Sequence, residues 1–82
     1  MQNAEVIPLH KVRKGRRVLV VRVPEGKTRA QLIRLGILKG EFLKCLQRLP
    51  GGTMLVEKNR QEIAIGASLA GAILVTDATE VL

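Results

Sequence analysis

Thr28-Arg29-Ala30-Gln31-Leu32-Ile33-Arg34-Leu35-Gly36-Ile37 is the best-marked stretch of the chain. Thr28 and Gln31 have the S/T-x-x-E/Q spacing of a capping box, in which the hydroxyl accepts from the N–H three residues on and the amide reaches back. Leu32 and Leu35 follow on one helical face. Gly36 stands where a left-handed residue ends a helix, and Ile37 falls where it folds back onto Leu32. The spacing predicts a short helix from Thr28 to Leu35 with both ends specified.

On either side the pattern changes from helical to extended. Arg16 to Val23 is rich in Val and Leu and predicts a strand, closed by the turn Pro24-Glu25-Gly26. Gly40 opens a second strand, Glu41 to Leu49. Its inward set is Leu43, Cys45 and Gln47, preferred over Phe42, Lys44 and Leu46 because it carries fewer charges. Pro50-Gly51-Gly52 predicts a hairpin turn. Thr53 to Lys58 is the third strand. Asn59-Arg60 forms a tight two-residue link in which the usual glycine is missing. The fourth strand runs from Gln61 to Gly66, Ser68 caps a single turn to Gly71, and Ile73 to Thr76 is the last strand. Ahead of all this, Pro8 fits the first turn of a short helix, Pro8 to Val12. Met1 to Ile7 is expected to be a loose leader and Asp77 to Leu82 a tail, which leaves one domain over residues 8–76. The fold class expected is mainly β: a small barrel of about five strands with a short helix inserted after the first.

Composition narrows the functions such a barrel can perform. The 82 residues allow one domain and one core. Phe42 is the only aromatic residue, so the core is aliphatic, and the aromatic platforms that single-stranded nucleic acids stack on are absent. The same lack disfavours a groove for Pro-rich peptides. The net charge is +7, and every Lys and Arg lies between Lys11 and Arg60. That asymmetry points to an acidic partner surface, a nucleic acid or an anionic membrane face, although solvated cations also serve solubility. A single cysteine, Cys45, excludes an intramolecular disulfide and fits a reducing compartment. The longest uncharged run, Ile63 to Thr76, is shorter than the ~20 residues a membrane span needs, so a cytoplasmic protein is expected.

Chemistry is sparse. His10 and Cys45 are the only soft ligands apart from two methionines, too few for a zinc or non-haem iron site, and neither a metal nor a cofactor is expected in the monomer. No Ser/His/Asp set suggests catalysis, so the protein is not expected to be an enzyme. Gly66-Ala67-Ser68-Leu69-Ala70-Gly71 has phosphate-loop glycine spacing but lacks the Lys-Ser/Thr that follows in such loops, and is expected to be a turn. Glu57 and Glu62 flank the Asn59-Arg60 link and are expected on a solvated face. What remains is surface. Arg13, Arg16 and Arg17 cluster before and at the start of the first strand, with Arg29 and Arg34 on the helix, and arginine suits bidentate contacts to carboxylates.

The order of these residues resembles the FeoA domain, the ferrous iron transport accessory protein A family. The likeness starts at Leu9 and Gly15 and is densest over Arg29-Ala30-Gln31-Leu32-Ile33-Arg34-Leu35-Gly36-Ile37 with Gly40. It continues through Pro50-Gly51-Gly52, Ile63-Ala64-Ile65-Gly66 and Leu69-Ala70, and ends at Ile73-Leu74-Val75. Two positions depart from the family pattern: Gln31 stands where a second basic residue is usual, and Thr53-Met54 where Asp-Pro is common. The resemblance implies an SH3-like β-barrel that works with a FeoB-like membrane G-protein transporter by binding its cytosolic portion. It also implies kinship with the C-terminal domain of metal-dependent repressors, whose helix-turn-helix this chain lacks. The alternative from composition alone is a basic SH3-like barrel that binds nucleic acid.

Overall fold

A computed structural model describes residues 5–80. Six strands form one antiparallel sheet: β1 (Val6–Pro8), β2 (Arg17–Arg22), β3 (Phe42–Arg48), β4 (Met54–Lys58), β5 (Gln61–Ile65) and β6 (Leu74–Asp77), in spatial order β1-β6-β2-β3-β4-β5. Two short helices interrupt it: α1 (Lys27–Leu35) between β2 and β3, and α2 (Ala67–Ala72) between β5 and β6. The mainly β class stands, with two corrections. The described residues form six strands, not five, and α1 follows the second of them, not the first.

Both corrections come from β1. Residues 1–4 of the expected leader lie outside the described residues, but Val6 and Ile7 are not loose. They pair with Thr76 and Val75, and Pro8 pairs with Leu74. Three residues ending in proline carry no readable alternation, so only the distant β6 reveals them as a strand. Proline is tolerated because β1 is the edge of the sheet, with β6 its one neighbour among the described residues. The chain then makes a single 3-10 turn, Leu9–Lys11, which buries Leu9 completely.

In β2, Val18 and Val20 point inward, as the alternation demands. In β3, Leu43 and Cys45 are buried but Gln47 is exposed, contrary to expectation. A bulge explains it. Cys45 pairs with Val56 and Gln47 with Leu55, so Leu46 is an extra residue and the inward phase is lost after Cys45. The core gathers Leu9, Val18, Leu32, Ile37, Met54, Val56, Ile65, Ile73 and Val75 with these residues, all aliphatic or sulfur-bearing.

α1 begins two residues earlier than a capping box at Thr28 requires. Gly26 occupies the cap with φ 83° and ψ −148°, a conformation open to glycine, and its carbonyl accepts from the Arg29 N–H at 3.0 Å. No side chain caps the helix, so Thr28 and Gln31 lie within it. Its end matches expectation. Gly36 is left-handed with φ 76°, its N–H donates to the Ile33 carbonyl at 3.0 Å, and the Ile37 N–H donates to Leu32 at 2.9 Å. Both bonds of a Schellman motif are present. Leu32 is the only residue of α1 that is buried, and with Ile37 it pins the helix to the barrel. Likewise α2 starts at Gly66 without a side-chain cap, so Ser68 lies inside it.

Candidate partner-binding surface

The five arginines singled out by sequence are all exposed, and they do not form one patch. Arg13 and Arg16 line a cleft with Ile7, Lys11, Val18 and Asp77. Arg34 lines another with Gln31, Leu35, Ala64 and Leu69, on the α1 side of the barrel. Arg17 borders a third, next to Phe42 and Lys44. Arg29 sits in the first turn of α1, bonded through its backbone to Gly26.

Arg16 is engaged within the chain. Its guanidinium pairs with the Asp77 carboxylate, whose other oxygen accepts from the Thr79 hydroxyl at 2.7 Å and the Thr79 N–H at 3.2 Å. The Thr79 hydroxyl in turn accepts from the Arg17 N–H at 3.1 Å. Those hydrogen bonds, the Thr79 hydroxyl first and Arg16 next, pull the Asp77 acid down from the ordinary 3.8 to about 2. Asp77 belongs to β6, not to a tail. The signal for this clasp is the Asp77-x-Thr79 spacing, which favours a local carboxylate-to-backbone bond.

Cations that sequence reasoning left aside enlarge the basic surface. Lys11 and Arg48 line a cleft of about 460 Å³ with His10 and Ser68, and Arg48 donates to the His10 carbonyl. Lys58 is different. Its ammonium reaches Glu41 at 3.4 Å and lies over Gly36, tying the end of α1 to the β4–β5 hairpin.

Redox and metal chemistry find little here. Cys45 is fully buried, and burial pushes its thiol up to about 11, so it stays protonated. His10 is half-buried against Gly71, and its Nδ1 has no partner. Among the described residues no group of three or more His, Cys, Asp and Glu is placed to hold a metal ion. Nor is any helix long and apolar enough to cross a membrane.

With the barrel, its helical insertion and its basic surface in place, comparison with known proteins is decisive. The FeoA domain model matches residues 7–77, nearly the whole chain. The chain belongs to the FeoA family. That family's role is in ferrous-iron transport, as an accessory rather than as an enzyme. No curated protein sequence matches the chain. Among solved structures, it is similar to an iron uptake regulatory protein (FeoA), with 27% identity and a TM-score of 0.81 over 90% of this chain and 99% of that one. It is also similar to the FeoA protein of Chlorobium tepidum, with 29% identity and a TM-score of 0.77 over 87% and 70% of the two chains. The manganese regulator SloR shares the fold, with 18% identity and a TM-score of 0.80 over 88% of this chain but 34% of that one. The SH3-like FeoA fold expected from the sequence is therefore the fold observed.

Proposed function

We propose that this FeoA protein is a cytoplasmic accessory component of ferrous-iron uptake that docks on the cytosolic portion of a FeoB-like membrane G-protein transporter. Family membership across residues 7–77 carries this reading. The surface supports it: exposed arginines flank separate clefts, and Arg16 is the one whose guanidinium is seen paired with a carboxylate among the described residues. Arginine on an exposed helix presents a planar fork to a partner's carboxylates. Of the expected docking residues, Arg29 and Arg34 share α1, while Arg13, Arg16 and Arg17 lie at and before the start of β2.

Charge reversal distinguishes the two groups. Arg29→Glu with Arg34→Glu is expected to weaken binding to the transporter's isolated cytosolic domain about tenfold or more at low salt, read by calorimetry, and to leave the melting temperature nearly unchanged. Unchanged affinity removes α1 from the docking face and moves the question to Arg13 and Arg17. The net charge of +7 favours one rival, nucleic-acid binding. A steeply salt-dependent shift of generic RNA or DNA at micromolar protein, with no binding to the transporter domain, would establish that rival instead.

A further inference from the structure

The β4–β5 hairpin carries an arginine where its geometry asks for glycine. Lys58 pairs with Gln61, so Asn59 and Arg60 form a two-residue loop, and both have positive φ, 51° and 68°. That is the type I′ geometry, for which Asn-Gly is the favoured sequence. A non-glycine residue in the left-handed region costs roughly 1 kcal/mol, and such strain persists where something else depends on the side chain.

The surroundings of Arg60 are charged. Arg60 borders a groove of about 260 Å³ on the outer face of the sheet, together with Arg17, Lys44, Lys58, Glu57 and Phe42. The register explains the gathering. Arg17 pairs with Lys44 and Lys44 with Glu57, while Leu19 pairs with Phe42, so a charged row and an apolar row run side by side across β2 and β3. Phe42 is the chain's only aromatic residue, yet it is 46% exposed and not spent on the core. Lys58 already has Glu41 as its counterion. Glu57 is the groove's single carboxylate, and its partner across β5 is another acid, Glu62. Lys44 and Arg60 therefore stand beside an exposed ring with an excess of positive charge.

We propose that this groove is a second docking site, which takes a short acidic protein segment: an aliphatic side chain against Phe42, with flanking carboxylates on Lys44 and Arg60. The occupant follows from charge complementarity and from the exposed Phe42 beside Leu19, an apolar pair that a phosphate backbone would leave unmatched. The site shares Arg17 with the group at the start of β2 but none of its lining with Arg13, Arg16, Arg29 or Arg34, and it does not depend on which protein those arginines meet. Arg60 is a recognition residue that the hairpin tolerates, not a turn residue.

The test exploits that split. An isotope-labelled sample of the full chain is titrated with a synthetic peptide of one Leu flanked by Asp and Glu, and with a control in which Asn and Gln replace the acids. Saturable amide shifts centred on Phe42, Lys44, Asn59 and Arg60 are expected with the acidic peptide alone. Arg60→Gly is expected to melt at a higher temperature than the parent while binding the peptide about tenfold more weakly, the scale of one lost charge-assisted contact. Lys44→Gln is expected to weaken binding similarly without a gain in stability. The proposal is overturned by shifts centred on Arg13 or Arg34, by equal binding of the neutral peptide, or by no saturable response. It is also overturned if Arg60→Gly binds as tightly as the parent, or if a short RNA or DNA duplex saturates the same amides at lower concentration than the peptide.

Discussion

At the scale of single residues, Asp77 does the most for its size. One carboxylate receives Arg16 on one side and Thr79 on the other, and Thr79 holds the Arg17 N–H, so the segment after β6 is stitched to the start of β2. Its acid titrates near 2, below the ordinary 3.8. A carboxylate with a depressed folded-state value contributes stability above its unfolded value and loses it as pH falls through the folded one. Thermal melts of the parent are therefore expected to fall more steeply between pH about 4 and about 2 than melts of Asp77→Asn, with the two curves parallel above pH about 5. Parallel curves throughout would remove Asp77 as the acid-sensitive clasp. This residue was hard to read from sequence because its value lies in partners far along the chain. Only the Thr79 contact is local. By contrast the burial of Leu9, Leu32, Cys45 and Val75 was legible, since an aliphatic chain with one aromatic has few other residues to put inside.

At the scale of elements, α1 shows which local signals survive folding. Its end was legible because a Schellman motif needs only Leu32, Gly36 and Ile37 at fixed offsets. Its start was not, because two caps competed. A serine- or threonine-type cap at Thr28 was compatible with the sequence, but Gly26 turns the chain two residues earlier and leaves Thr28 in the first turn. β3 failed in a similar way: the period-2 pattern held to Cys45, then the Leu46 bulge shifted it. Bulges answer to the partner strand, which no single-strand pattern contains. The well-specified end of α1 is also where a substitution is most informative. Gly36→Ala places a Cβ at φ 76°, 3.3 Å from the Lys58 ammonium. It is expected to cost about 1–2 kcal/mol in chemical denaturation, chiefly from left-handed strain. Restoring part of the loss by shortening Lys58 would show that the ammonium contributes to the clash.

At the scale of the whole molecule, the order of strands was legible and their closure was not. Pro50-Gly51-Gly52 marked the β3–β4 hairpin and Asn59-Arg60 the β4–β5 one, and those neighbours in sequence are neighbours in the sheet. β6 lies between β1 and β2, however, so the last strand joins the first two. Nothing local announces such a pairing. The candidate surface was legible to the same degree: the cations were countable, but their division into separate clefts depends on which strands the sheet sets side by side. Because Val6 pairs with Thr76, a circularly permuted chain, with residue 82 joined to residue 1 and a cut between Gly51 and Gly52, is expected to fold to the same barrel. Its amide spectrum should match the parent away from the new ends, and a collapsed spectrum would show that the β3–β4 turn is needed to start folding.

The seating of β6 between β1 and β2 also sets a timetable. On a ribosome, β2 through β5 emerge as a connected meander able to pair at once, whereas β1 has no edge to rest on until β6 has left the exit tunnel. The growing protein therefore carries an unsatisfied β2 edge through most of its synthesis, with Val18 and Val20 uncovered on one side. A nascent chain stalled before Leu74 should recruit chaperones that a chain released after Thr79 does not need.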